Sequence, residues 1–176
     1  MRIILTGFMG SGKTYIGREL AKKLGYKFID LDEYIIQKEK RSIPDIFKEY
    51  GEKYFREIEI KYLKETLEGI DNIVLSLGGG TLQNKNVIDY IKKNGILIFL
   101  DADVRSIYHR VKGDQNRPLL AGLTEEQKIE KIKTLLEKRL PLYKQAHYTV
   151  RSNLEDSIPE VVENIIRIIK DENIKG

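Results

Sequence analysis

The stretch that most constrains this chain of 176 residues is Gly7-Phe8-Met9-Gly10-Ser11-Gly12-Lys13-Thr14, which satisfies G-x-x-x-x-G-K-[ST]. It directly follows the apolar run Ile3-Ile4-Leu5 and directly opens a stretch, 13–24, whose apolar residues recur at helical spacing. A strand that passes into a helix through glycines lets the backbone wrap closely round phosphate oxygens. The free N–H groups at the helix start then face the anion. In that setting Lys13 reaches the β- and γ-phosphates, and the Thr14 hydroxyl ligates Mg²⁺. A plain glycine-rich turn is the competing explanation, and the match in its strand-to-helix context disfavours it. The motif marks a nucleoside triphosphate site.

The rest of the chain supplies the matching scaffold. Short apolar runs at 2–6, 27–30, 73–77, 96–100 and 148–151 alternate with longer amphipathic stretches, the pattern of an α/β domain with a mainly parallel sheet. Helices are expected at 13–24, 31–40, 44–50, 52–68, 85–93, 104–110, 125–140 and 158–169. Thr124 to Gln127 and Ser157 to Glu160 fit capping boxes, Ser42 to Asp45 is a near match, and Asp103 is placed to cap the helix after it. In the last helix Ile158, Val161, Val162, Ile165, Ile166 and Ile169 form a core-facing stripe. One stretch, 112–122, is polar and aperiodic, and a loop of that length inside a small domain suits a functional lid.

Composition removes the main competitors. Cysteine is absent and there are two histidines, so disulfides, thiolate metal sites, cysteine nucleophiles and Ser-His-Asp chemistry have little or no material. The net charge of +4 comes from 31 cations interspersed with 27 anions, which reads as solvated helix faces rather than a nucleic-acid stripe. No apolar run could span a bilayer and no signal pattern opens the chain, so a cytoplasmic protein without membrane or nucleic-acid partners is expected. A switch GTPase is excluded because Asn84-Lys85-Asn86-Val87 lacks the guanine-binding carboxylate and no Asp precedes a Gly by three places.

Candidate chemistry lies beyond the phosphate loop. Asp30 and Asp32 end the second expected strand, and period-two alternation would bring both carboxylates to one side if the strand ran that far. Asp30 could equally serve as a helix N-cap, and Asp101, closing the run 96–100, is a rival metal-site acid that spacing alone does not eliminate. Gly78-Gly79-Gly80 after the third strand would permit positive φ and close backbone approach to a ligand. Arg56 and Glu59, at i, i+3, would ordinarily be a surface ion pair. Arg117, in the aperiodic loop, and Arg139 could clamp a carboxylate or neutralise phosphoryl charge.

Taken in order, these motifs resemble the shikimate kinase family from Ile3 to about Asn153. The matching elements are the loop 7–14, Asp30-x-Asp32, Arg41 to Phe47, Gly51-Glu52-x-x-Phe55-Arg56-x-x-Glu59, Leu77 to Gly80, Arg117-Pro118-Leu119-Leu120 and Arg139-x-Pro141-x-Tyr143. The resemblance implies a three-layer α/β/α fold of the P-loop kinase type, with a five-stranded parallel sheet and a mobile lid. One domain would span 1–176, with a substrate-binding helical excursion about 31–60 and the lid about 112–123. It implies transfer of the ATP γ-phosphoryl group to the 3-hydroxyl of shikimate with Mg²⁺, by a monomer.

Roles carried over by resemblance are these. Asp32 would hold the acceptor hydroxyl and act as, or orient, the base, with Lys13 and Arg117 catalytic beside it. Gly10, Ser11, Gly12, Lys13, Thr14, Tyr15 and Arg110 would bind nucleotide, Arg110 by stacking on adenine, and Thr14 and Asp30 would serve the metal. Arg56, Arg139 and the backbone of Gly78, Gly79 and Gly80 would bind shikimate, with Glu59 buttressing Arg56. Two departures stand out: Tyr15 occupies a position where the family usually has a small hydroxyl residue, and 152–157 matches its other adenine contacts poorly. A gluconate or nucleoside monophosphate kinase of the same fold is the alternative enzyme, and an ATP-binding regulatory domain the non-enzymatic one.

Overall fold

Five apolar runs pair into one parallel sheet in the order β2-β3-β1-β4-β5, from β1 (Arg2–Thr6), β2 (Lys27–Asp30), β3 (Ile73–Ser76), β4 (Ile96–Asp101) and β5 (Tyr148–Arg151). The computed structural model describes residues 1–84, 86–114 and 117–175. The expected helix start at Lys85 and two positions of the expected lid, Gln115 and Asn116, lie outside the described residues. The helices are α1 (Lys13–Leu24), α2 (Leu31–Glu39), α3 (Ile43–Gly69), α4 (Val87–Asn94), α5 (Val104–Val111), α6 (Glu125–Tyr143) and α7 (Ile158–Lys175).

Strand β1 is central, with Leu5 in register with Ser76 on one side and Ile98 on the other. The chain order reverses there, so the carboxyl ends of β1 and its neighbours open a crevice, the usual ligand site of such sheets. Alternate side chains along β1 and β4 feed two separate cores. Ile4, Leu97 and Phe99 pack with α2 to α6, while Ile3, Leu5, Ile98 and Leu100 pack with α1 and α7. Val161, Val162, Ile165 and Ile169 of α7 are buried as their spacing requires, each contributing about 2 kcal/mol, whereas Ile158, expected in the same stripe, is exposed at the helix start and Ile166 is only partly buried.

The caps follow the sequence closely. Thr124 and Gln127 form a reciprocal capping box, and Ser42, Asp103 and Ser157 each accept the backbone N–H three residues on. Three helices differ from expectation, the simplest being α7, expected at 158–169, which runs on to Lys175. The segments expected at 44–50 and 52–68 run on as α3 around Gly51, whose φ of 86° and ψ of 172° break the helical geometry. Helix α6 continues through Pro141 to Tyr143. Short 3₁₀ turns at Thr81–Gln83 and Pro118–Leu120 were not evident from periodicity.

Candidate active site

The phosphate loop closes on its own lysine. Gly12, at φ 91°, is the N-cap of α1, a left-handed geometry that a β-carbon would strain. The Lys13 ammonium donates to the carbonyls of Gly7 at 2.6 Å and Phe8 at 3.0 Å. The Thr14 hydroxyl donates to Asp30 Oδ2 at 3.3 Å, while Oδ1 of the same carboxylate accepts the N–H of Glu33 at 3.2 Å. Asp30 is thus an N-cap and a partner of the loop threonine at once. Asp101 is not part of this cavity's wall, and its carbonyl accepts the N–H of Ser152.

Around the loop lies a cavity of about 430 Å³, walled by Gly10, Gly12, Lys13, Thr14, Tyr15 and Arg110 from the expected nucleotide set. Arg110 donates to the Gly10 carbonyl at 3.0 Å, tying α5 to the loop. Ser11 stands apart: its hydroxyl is buried without a protein partner and its N–H bonds the Phe8 carbonyl. Ser152 and Asp156, which the sequence left unassigned, also line the cavity. Asp156 receives both the Arg151 guanidinium, at 2.7 and 2.9 Å, and the N–H of Asn153, which folds that wall into a tight turn.

A second cavity, of about 630 Å³, lies between α3, α6 and the turn after β3. Arg56 donates to Glu59 Oε1 at 2.9 Å and to the Gly80 carbonyl at 3.1 Å, and the other Glu59 oxygen accepts the Thr81 hydroxyl. Glu59 is buried, so this i, i+3 pair is an internal mooring rather than the surface pair such spacing ordinarily gives. Breaking such a pair from one side costs about 3–5 kcal/mol. Arg139 reaches in over the Phe8 ring, and its Nε is buried without a hydrogen-bond partner. Met9, Phe47, Phe55 and Leu119 give the cavity an apolar side that no motif had singled out.

The three glycines work by lacking a side chain, not by positive φ, which none of them adopts. A β-carbon at Gly78 would stand 2.9 Å from an Asp32 oxygen. At Gly79 it would stand 3.5 Å from Arg139 Nη1, and at Gly80 3.1 Å from Arg56 Nη2. Gly78 and Gly80 therefore make room for Asp32 and Arg56, whereas a β-carbon at Gly79 would meet Arg139 only at ordinary contact distance. Asp32 itself sits in the first turn of α2 rather than on a strand, because β2 stops at Asp30. It still arrives beside Asp30, since the helix turns the chain back over the strand's end.

Met9, Asp32, Gly78, Gly79 and Arg117 line both cavities, so one carboxylate and one guanidinium stand where the two spaces meet. Burial raises the Asp32 pKa to about 6, with Asp30 and Glu59 adding to the rise and Lys13 and Arg56 opposing it. Burial lowers Lys13 to about 8, with Asp32 opposing and Arg117 adding. Both groups are thereby moved toward neutrality, as suits proton transfer near pH 7. Arg117 is held by Asp114 at 2.9 Å, and the buried Leu120 anchors the following turn in the core. Neither histidine lines either cavity.

Among known proteins, a family model described as shikimate kinase matches residues 9–170. A shikimate kinase of Sulfurihydrogenibium sp. is 44% identical over 169 residues, covering 96% of this chain and 97% of that protein. Two solved structures align closely. The shikimate kinase of Bacteroides thetaiotaomicron gives a TM-score of 0.91 at 36% identity, covering 97% of this chain and 98% of that one. That of Acinetobacter baumannii, solved in complex with shikimate, gives 0.87 at 36% identity, covering 97% and 93%.

Proposed function

This chain belongs to the shikimate kinase family, and we propose how its residues carry the γ-phosphoryl group of ATP to the 3-hydroxyl of shikimate. The observation that carries the assignment is the shared wall: Asp32 and Arg117 border both cavities, where an acceptor oxygen and a terminal phosphate would meet. ATP lies in the smaller cavity, its phosphates on the N–H groups at the start of α1, and Arg110 packs against the base. Lys13 exchanges its two loop carbonyls for phosphate oxygens. Shikimate lies in the larger one, its carboxylate between Arg56 and Arg139 and its ring against Met9, Phe47, Phe55 and the backbone of residues 78–80. Guanidinium forks suit a planar carboxylate, and an orphaned Nε on Arg139 supports that partner.

Asp32 accepts the proton of the acceptor hydroxyl and directs its oxygen at phosphorus, while Lys13 and Arg117 neutralise charge on the transferring group. The catalytic demand is positioning and electrostatics rather than covalent chemistry, so the lysine, arginines and aspartate suffice on the protein's side. Thr14 and Asp30 present two hard oxygens 3.3 Å apart beside the phosphate loop, a donor set that fits a Mg²⁺ keeping most of its water. When bound, such an ion would offset phosphate charge and polarise the group being transferred. Water must be kept from the nucleotide, and residues 112–123 are the segment we assign to closing over it.

The same reading makes the protein a cytoplasmic monomer acting on small molecules. Among the described residues no helix is long and apolar enough to cross a membrane. The test is a coupled ADP-release assay with shikimate, gluconate and AMP offered separately. Turnover is expected with shikimate alone, and turnover on gluconate or AMP without turnover on shikimate refutes the assignment.

A further inference from the structure

Arg139 poses a question that Arg56 does not. Arg56 is moored by Glu59 and by the Gly80 carbonyl. The Nε of Arg139 has no such partner, and no acidic side chain among the described residues pairs with it. What fixes where it stands over Gly79 is the Phe8 ring, 5.5 Å from its guanidinium carbon, and the Tyr143 side chain, which interacts with it directly.

The neighbour that does so is one helical turn further along α6. Tyr143 is 1% exposed and its ring stacks on Phe99 of β4 at 5.0 Å between centroids. Its phenol donates to the carbonyl of Gly79 at 2.6 Å, a short and well-committed bond. Residues four apart share a helix face, so Arg139 and Tyr143 reach the same glycine from the same side. Arg139 Nη1 stands 3.5 Å from where a β-carbon on Gly79 would lie, and Tyr143 holds that residue's carbonyl. Phe99 lies next to β1 in the sheet, in register with Thr6, so the stack ties the end of α6 to the strand that delivers the phosphate loop.

We propose that Tyr143 is a positioning residue for the acceptor site: its hydroxyl sets the distance between α6, which carries Arg139, and the turn of residues 78–80. Tyr143 does not line the cavity and touches no substrate; it acts through Arg139 and Gly79. Burial pushes the Tyr143 pKa up to about 12, so the hydroxyl keeps its proton and donates throughout the working range. Losing it leaves the Gly79 carbonyl without its buried donor and lets the end of α6 relax away from the turn. The inference rests on the assignment of Arg139 to the shikimate carboxylate.

The test is a double-mutant cycle of Tyr143→Phe with Arg139→Ala, read as separate KM values for shikimate and ATP, kcat, and Tm. Tyr143→Phe keeps the ring and its stack on Phe99. It should raise the shikimate KM about tenfold, the scale of one buried hydrogen bond, with kcat and the ATP KM within about twofold. In the Arg139→Ala background the same substitution should change the shikimate KM by less than about twofold. A lowered Tm with unchanged shikimate KM, or an equal rise in both backgrounds, overturns the proposal. Phe99→Leu, which loosens the stack but keeps the hydroxyl, should leave the shikimate KM within about twofold; a rise matching that of Tyr143→Phe makes the role merely structural and also overturns it. If Arg139→Ala alone leaves the shikimate KM unchanged, the clamp assignment itself fails, a result distinct from failure of the tyrosine's role.

Discussion

Replacing Gly78, Gly79 and Gly80 by alanine, one at a time, should give three kinetically different enzymes. None of the three has positive φ, so alanine strains no backbone and the outcome depends on what its β-carbon meets. At Gly78 the new carbon would lie 2.9 and 3.1 Å from the two Asp32 oxygens, where ordinary contact begins at 3.4 Å. The carboxylate must therefore retreat by about 0.5 Å. Because Asp32 is a short side chain on a turn rooted by the buried Leu31 and Ile35, it has little room to give. A misplacement of 1 Å at a reacting group costs about 10²-fold, so about tenfold in kcat is expected here.

At Gly80 the carbon would lie 3.1 Å from Arg56 Nη2, the end of a longer side chain that yields by a few tenths of an ångström at the expense of its mooring. That variant should raise the shikimate KM about three- to tenfold and leave kcat near wild type. At Gly79 the distances of 3.5 Å to Arg139 Nη1 and 3.6 Å to the Met9 nitrogen are ordinary contacts, and both constants should stay within about twofold. Initial rates over a shikimate series at saturating MgATP separate the two constants. The reasoning is refuted if Gly79→Ala is the most damaging of the three, or if Gly78→Ala raises KM while kcat holds.

Three further predictions concern protons and the metal. As Asp32 must be ionised to accept a proton and Lys13 charged to hold phosphate, kcat/KM should rise through about pH 6 and decline above about pH 8; a flat profile from pH 5 to 9 would contradict both roles. Since the folded pKa of Asp32 lies above its ordinary 3.8, the folded state loses stability as pH climbs from about 4 through about 6. Asp32→Asn should then raise Tm at pH 7 more than at pH 4, as calorimetry would reveal. Thr14→Val and Asp30→Asn should each raise the Mg²⁺ concentration needed for half-maximal rate by about tenfold or more, in titrations at fixed ATP. An unchanged requirement in both removes these oxygens from the metal's surroundings.

What could be read before folding was whatever depends on local order in the chain. The strand-glycine-helix order placed the phosphate loop, and the serine, threonine and aspartate caps fixed most helix starts, because these signals act between residues a few places apart. The expected strand 27–30 and helix 31–40 already put Asp32 in a first helical turn; what only the fold shows is its approach to Gly78 and its place where the two cavities meet. Positive φ was the wrong expectation for the glycine triplet, because what Gly78 and Gly80 make room for, Asp32 of α2 and Arg56 of α3, meets them only in the fold. Tyr143 left no signal beyond its place in a motif, because its partner is a backbone carbonyl 64 residues away. Helix α6 passes Pro141 for the same cause: the Tyr143 bond and the Phe99 stack hold a last turn that local propensity would have ended.

The division of the core by the sheet has a consequence for how such a catalyst can diversify. Asp32, Arg56 and Arg139 ride on α2, α3 and α6, all rooted in the cluster on one side, whereas the helix that opens from the phosphate loop and its partner α7 are rooted in the other. Changes that remodel the acceptor side accumulate in one packing environment and leave the opposite one untouched. Substrate choice can thus be rewritten by drift or by design largely on one face of the sheet, while α1, which carries Lys13 and Thr14, keeps its packing on the other; Arg110, on α5, is the nucleotide residue that shares the remodelled side.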